Sequence, residues 1–279
     1  MKKLLIISMV LLVVLGGSAK MYEITHYSES LNKNKTFRII LPENYDEDIC
    51  YPVLYLLHGA SGSYIDWHKN GILEQAAKNY DLIIVTPDGE NSWYVDSPIK
   101  ENSKYASYIL NDLIPYIDSN YNTIPTYRGR GISGLSMGGH GAITLAIKNP
   151  EVFGAASATS GVLDLRPLPN VTGLKEIFGD IKANETVWDE NSAVEMVDLL
   201  KKSRRKPKLL FDIGMSDVFY KTNLEFHNRL YAKGITHTFK VYPGTHDWMY
   251  WLGHLPEHLE FHATSLRKPL PKEVAEEAN

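Results

Sequence analysis

A chain of 279 residues, 44% hydrophobic and 22% charged, holds enough apolar side chain for one large α/β domain or two small ones, which excludes disorder on a large scale. Its formal net charge of −4 leaves no basic footprint for nucleic acid. A single cysteine, Cys50, excludes an intramolecular disulfide, so the packed core must supply the stability.

The first nineteen residues differ in kind from the rest. Lys2 and Lys3, the apolar run Leu4 to Leu15 and the small residues Gly16-Gly17-Ser18-Ala19 make a secretory signal peptide pattern over 1–19, with cleavage expected after Ala19. The apolar run is short for a membrane span, so the mature chain is expected to be secreted or periplasmic without stable membrane association; a retained anchor is the competing reading. No cysteine follows the run, which argues against a lipoprotein anchor. Asn34, Asn170 and Asn184 head glycosylation triplets that matter only in a eukaryotic secretory route.

Tyr22–Ser30 and Lys35–Leu41 read as an antiparallel hairpin about the polar turn Asn32-Lys33-Asn34. Cys50 precedes the strand Pro52–Leu57 and reads as a packed small hydrophobe. Pro52–Leu57, Leu82–Val85 and Lys208–Phe211 are continuous apolar runs, the pattern of parallel strands buried on both faces. Between them, Tyr105, Ile109, Leu113 and Ile117 recur every four residues on a helix, and Phe219–Lys233 reads as another that stops at Gly234. Phe153–Ser160 and His237–Tyr242 complete the strands. The alternation predicts one doubly wound, mostly parallel α/β domain over 20–266. Within it, 163–203 is rich in Pro, Asn and Gly before the helix-like Asn191–Lys202 and is expected to form a small cap. The basic run Lys201–Lys208, broken by Ser203 and Pro207, reads as a solvated loop in preference to a binding patch, and 267–279 as a solvated tail.

Chemistry concentrates at the carboxyl ends of these strands. Gly134-Leu135-Ser136-Met137-Gly138 lies where a strand gives way to an Ala-rich helix, the context of a nucleophile elbow, in which small neighbours let the serine stand exposed. A serine hydroxyl needs a base to take its proton and a carboxylate to orient that base. The loop after Phe211 offers Asp217 and the loop after Tyr242 offers His246, in the order Ser, acid, His. Asp212 competes for the acid, but as the last strand residue it is expected to be fixed in the sheet; Asp247 adjoins the histidine and could not readily turn back on it. The backbone N–H of Met137 supplies one oxyanion donor, and Leu57-His58-Gly59-Ala60 after a buried strand offers the second, from Ala60. His254, His258 and His262 recur at four-residue spacing, but with no HExxH glutamate or cysteine partner they read as a polar helix face and not a metal site; His140 reads as a packing or rim residue.

Together, Leu57-His58-Gly59, Trp67, Pro87-Asp88-Gly89, Gly134 to Gly139, Gly214-Met215-Ser216-Asp217 and Pro243 to Trp248 resemble the putative esterase family, over nearly the whole mature chain. That family is typified by esterase D, or S-formylglutathione hydrolase, and includes tributyrin esterases, feruloyl esterases and antigen 85-type mycolyltransferases. The resemblance implies the α/β-hydrolase fold, Ser136 as nucleophile, His246 as general base and acid, Asp217 as orienting carboxylate, the Met137 and Ala60 N–H groups as oxyanion hole, and no cofactor or metal. Relatives often carry a second glycine where Ala60 stands, and cytosolic formylglutathione detoxification needs no export. A secreted serine carboxylesterase acting on acetyl, butyryl or feruloyl-type esters, free or on plant polysaccharides, is therefore expected. His58, Gly59, Trp67, Trp93, Tyr94 and Trp248 are the candidate substrate-binding residues, with buried structural aromatics the alternative. Acyl transfer to a carbohydrate acceptor, an S-formylglutathione hydrolase-like thioesterase and a non-catalytic carbohydrate-binding protein on the same fold are the rivals.

Overall fold

The computed structural model describes residues 19–277 other than 69, 70 and 172. The expected signal segment falls outside them except for Ala19, which is buried. Strand β1 (Lys20–Ser28) pairs antiparallel with β2 (Lys33–Leu41), Ser28 opposite Lys33. Ile24, His26 and Ser28 turn inward while Glu23, Thr25 and Tyr27 face out, the period-two alternation of a half-buried strand. The turn falls earlier than expected, before Lys33, because Asn32 takes a left-handed φ of 51° that asparagine tolerates.

After the short β3 (Ile49–Cys50) come β4 (Val53–Leu57), helix α1 (Ile72–Tyr80) and β5 (Ile83–Pro87). A helical passage follows: α2 (Tyr105–Ser107), a π-helical stretch Tyr108–Leu113 and α3 (Ile114–Asn120). Tyr105, Ile109, Leu113 and Ile117 are all buried. Their strict four-residue recurrence exceeds the 3.6-residue α period, and the wider π turn keeps them on one face. Pro115, which cannot donate to the carbonyl of Asn111, sits just beyond that turn.

The chain continues through β6 (Arg130–Leu135), α4 (Met137–Lys148) and β7 (Ala155–Thr159). Next come α5 (Leu174–Phe178), α6 (Glu185–Glu190), a 3-10 turn Ala193–Glu195, α7 (Val197–Lys202), β8 (Lys208–Gly214), α8 (Tyr220–Ala232), β9 (Thr238–Tyr242) and α9 (Trp248–Ser265). The sheet order is β1-β2-β5-β4-β6-β7-β8-β9, and β4 to β9 are mutually parallel. Every residue of β4, β5, β6 and β7 is buried, as in the parallel strands of a sheet covered on both faces. Helix α4 packs in the larger core on one face of the sheet, whereas α1 and α9 bury Leu73, Ala77, Leu255 and Leu259 in the core on the other. Between β4 and β6 the chain order reverses, and such a switch point opens a crevice at the carboxyl ends of the strands. Segment 163–203 sends Leu174, Phe178, Trp188, Val197 and Leu200 into the larger core.

The C-terminal segment departs from expectation. It is not a solvated tail: β10 (Leu270–Pro271) pairs antiparallel with β3, α10 (Lys272–Glu277) follows, and Leu270 and Ala275 pack on Cys50 and Ile124. The charged composition hides two apolar side chains placed to cover that small cluster.

Candidate active site

Strand β6 runs into Ser136, which holds φ 53° and ψ −117°, a sparsely populated conformation costing about 1–3 kcal/mol for a residue with a side chain. Three backbone bonds hold it there: Ser136 N–H donates to Thr159 O at 3.1 Å, and Ser136 O accepts from His140 at 3.0 Å and Val162 at 3.3 Å. The turn closes only because its flanks are glycine. A Cβ on Gly134 would lie 2.5 Å from Gly138 backbone, and one on Gly138 would lie 2.5 Å from Leu57 O.

His246, in the loop after β9, places Nε2 3.0 Å from Ser136 Oγ and Nδ1 2.9 Å from Asp217 Oδ2. A nitrogen facing a carboxylate donates, so Nδ1 carries the proton and Nε2 is left to accept from the serine hydroxyl. The Asp217 side chain is fully buried, and Oδ1 accepts from Phe219 N–H at 2.8 Å. The two loops are laced together, Met215 N–H donating to Tyr242 O and Ser216 N–H to Gly244 O. Phe219 and Trp251 meet the His246 ring edge-on, with centroids 4.8 and 4.9 Å away. Sequence reasoning missed this aromatic vice; the only signal was that each lies within a turn of a predicted loop residue.

Register brings the two candidate oxyanion donors together. Leu57 of β4 pairs with Gly134 of β6, so Ala60 and Met137, each three residues further on, emerge side by side at the switch point. Neither N–H donates within the protein among the described residues. The N-terminus of α4 adds its partial positive charge at Met137.

Several expected substrate contacts are structural instead. His58 is buried, with Nδ1 donating to Gly59 O at 2.7 Å and Nε2 accepting from Gly89 N–H at 2.8 Å; it ties the Ala60 loop to the loop after β5 and does not open on the cleft. Trp67 is buried and its Nε1–H donates to Leu57 O. Trp93 and Tyr94, both buried at φ 56°, turn inward: Trp93 packs edge-on against His140, and Tyr94 OH donates to His58 O. The loop's backbone reversal directs these rings to the core, which the residue types alone do not reveal. Trp248 remains half-buried, edge-on to Trp67 and Trp251. Gly59 lies against Ser136. Three strongly exposed apolar side chains, Met215, Val218 and Met249, flank Asp217 and Trp248 in sequence.

The remaining candidates resolve by burial. Asp212 is buried within β8, accepting from Thr159 Oγ1 at 2.8 Å and Tyr250 OH at 3.1 Å and facing His258 Nε2 at 2.6 Å, so it belongs to a second network that does not touch His246. Burial and the neighbouring Asp212 carboxylate push the Tyr250 phenol up. His258 and His262 are buried, which corrects the polar-face reading: they occupy the inward face of α9, His262 Nε2 meeting Ser157 Oγ at 2.9 Å. Burial, helped by His258, lowers His262 to about 3. No group of His, Cys, Asp and Glu among the described residues is arranged to hold a metal ion. His140 is a buried packing residue lowered to about 4 by burial, its contacts with the Asn191 and Trp93 carbonyls opposing in part. Asp247 caps α9, accepting from Tyr250 N–H at 3.0 Å.

This serine, histidine and carboxylate line-up over an N–H pair is what acyl transfer needs, and the comparisons agree. Residues 28–262 match the esterase family described as "Putative esterase". The chain belongs to that family. It is a serine ester hydrolase of the α/β-hydrolase fold. It is similar to an acetyl esterase of Caldicellulosiruptor saccharolyticus, 28% identical over 86% of this chain and 96% of that one. Among solved structures it resembles a ferulic acid esterase, 27% identical with a TM-score of 0.77 over 90% of this chain and 100% of the other. The fold also matches the serine hydrolase FphF of Staphylococcus aureus, with a TM-score of 0.79 at 23% identity over 88% and 99% of the two chains. No helix among the described residues is long and apolar enough to cross a membrane.

Proposed function

We propose that this esterase is exported and cleaves short-acyl or aromatic carboxylic esters, acetyl, butyryl or feruloyl, including those on plant polysaccharides. Ser136 Oγ attacks the ester carbonyl while His246 Nε2 takes its proton, and Asp217 steadies the imidazolium that forms. The developing oxyanion is received by the Met137 and Ala60 N–H groups. His246 then protonates the departing alcohol, and water attacks the resulting acyl-serine by the same route in reverse. The observation that carries the reading is the continuous hydrogen-bonded path from Ser136 Oγ through His246 to Asp217 Oδ2, at 3.0 and 2.9 Å.

The acyl class is argued from the rim. Met215, Val218 and Met249, all exposed, and the half-buried Trp248 lie within three residues of Asp217 or His246 in the chain, which supports an apolar border suited to a methyl, propyl or aryl group. The similarity to acetyl and ferulic acid esterases points the same way. Export rests on the charged, apolar and small-residue pattern of residues 1–19. A side-by-side panel of nitrophenyl acetate, nitrophenyl butyrate, methyl ferulate, acetylated xylan and S-formylglutathione tests the assignment. Turnover of the oxygen esters is expected; activity confined to the thioester would overturn it.

A further inference from the structure

Eight arginines occur in the sequence. Arg38, Arg130, Arg166 and Arg229 each pair with a carboxylate. Arg128, Arg204, Arg205 and Arg267 pair with none among the described residues, and Arg128, Arg205 and Arg267, together with Arg130, line a single cavity of 380 Å³. They arrive from distant parts of the chain. Arg130 opens β6, Arg128 precedes it, Arg205 comes just before β8, and Arg267 just after α9. Arg205 lies over the Tyr127 ring at 4.6 Å and Arg128 Nε donates to the Tyr127 hydroxyl at 3.1 Å, so the phenol fixes two guanidiniums at the rim. The Arg267 N–H donates to Arg128 O at 2.7 Å, drawing the third arm in.

Two further features distinguish this place from a solvated basic face. Arg130 is buried, and while its guanidinium meets Asp118, its Nε has no hydrogen-bond partner. Thr126 Oγ1, on the same cavity wall, is also buried without one. Glu151 is the one carboxylate in the lining, and no ion pair between it and these arginines occurs among the described residues. Three guanidiniums without a carboxylate partner among the described residues gather at one cavity beside a fourth that Asp118 already pairs, and their forked donors match phosphate and carboxylate oxygens.

We propose that this pocket binds a phosphate- or sulfate-type oxyanion, free or carried on an anionic polysaccharide. The basic run Lys201–Lys208, read from sequence as a solvated loop, thereby gains a role through Arg205. The pocket lies at the amino ends of β6 and β8, whereas Ser136 follows the carboxyl end of the six-residue β6, about 20 Å away by strand rise. An anion held there leaves the catalytic cleft open.

Calorimetric titration of the purified full chain with inorganic phosphate at low ionic strength tests the site, with sulfated dextran and neutral dextran as polymer arms. One saturable site is expected, weakened about tenfold for each guanidinium removed in Arg128→Ala and Arg205→Ala, and by a similar factor in Arg267→Gln. Phosphate binding identifies a free oxyanion; sulfated dextran binding alone identifies a polymer-borne one; neutral dextran should not bind. Nitrophenyl acetate turnover should be unchanged by phosphate or by these substitutions. Absence of saturable binding by either anion, equal binding by the double variant, or competitive inhibition of turnover by phosphate would overturn the proposal.

Discussion

Replacing Asp217 by Asn removes one charge and almost no volume, and its effect follows from which way each oxygen points. Oδ1 accepts from Phe219 N–H at 2.8 Å, so the amide oxygen is held there and the amide NH₂ is turned toward His246 Nδ1. An NH₂ at 2.9 Å forces Nδ1 to accept, which moves the ring proton to Nε2, the nitrogen 3.0 Å from Ser136 Oγ. The base then meets the serine with a proton already in place. Loss of the correct tautomer lowers kcat by about four orders of magnitude, about 5 kcal/mol of transition-state stabilisation. Initial rates on nitrophenyl acetate provide the assay, with KM and the melting temperature expected to change little because the Phe219 bond is kept. Asp212→Asn is the matched control: it disturbs Thr159, Tyr250 and His258, so it should lower the melting temperature while leaving the protein that remains folded able to turn over substrate. Asp217→Asn activity within tenfold of wild type, or the two variants exchanging phenotypes, would refute the reasoning.

Gly138→Ala places a methyl 2.5 Å from Leu57 O and 2.6 Å from His58 O, backbone atoms that no rotamer change can relieve, so the Ala60 loop must move away. Loss of one oxyanion donor predicts a fall in kcat of about a hundredfold or more in steady-state assays, with substrate binding less affected. Acid should destabilise the fold through His140 and His262, whose folded values of about 4 and about 3 lie below the ordinary 6.5. The unfolded chain binds their protons first, so stability falls as pH drops below about 6.5 and continues to fall until these folded values are reached. Each histidine contributes on the order of 3 kcal/mol by pH 4, and denaturant unfolding at pH 7 and pH 4 reads the difference. His140→Gln should flatten that dependence.

Much of the candidate site was legible because the residues proposed for it follow one another in order along the chain. Continuous apolar runs marked β4, β5 and β8, and each candidate residue follows a strand within a few positions: Ala60 after β4, Ser136 after β6, Asp217 after β8 and His246 after β9. What the sequence did not disclose depends on the direction a loop or helix face takes in three dimensions. Trp93 and Tyr94 occupy a loop rich in polar neighbours, yet two successive positive φ values turn both rings into the core. His258 and His262 looked like a polar face because imidazole is polar by type; burial came from α9 packing on the sheet, where Asp212 and Ser157 wait as partners. The docked C-terminus was masked by its Lys and Glu content, since Leu270 and Ala275 are too few to show a period. The four-residue recurrence of Tyr105 to Ile117 was visible, but the π turn that keeps it on one face was not separated from an ordinary helix. The arginine pocket gathers its arginines from the starts of two strands and the end of a helix, so no local pattern could have shown it.

Treatment with a fluorophosphonate, followed by peptide mass spectrometry, tests most directly whether Ser136 is the activated nucleophile. One adduct per chain, on Ser136, forming in step with loss of esterase activity, slowed by nitrophenyl butyrate and absent from Ser136→Ala, is the predicted result. An adduct on another residue accompanying the loss of activity, or wild-type-like hydrolysis by the purified Ser136→Ala protein, would contradict it.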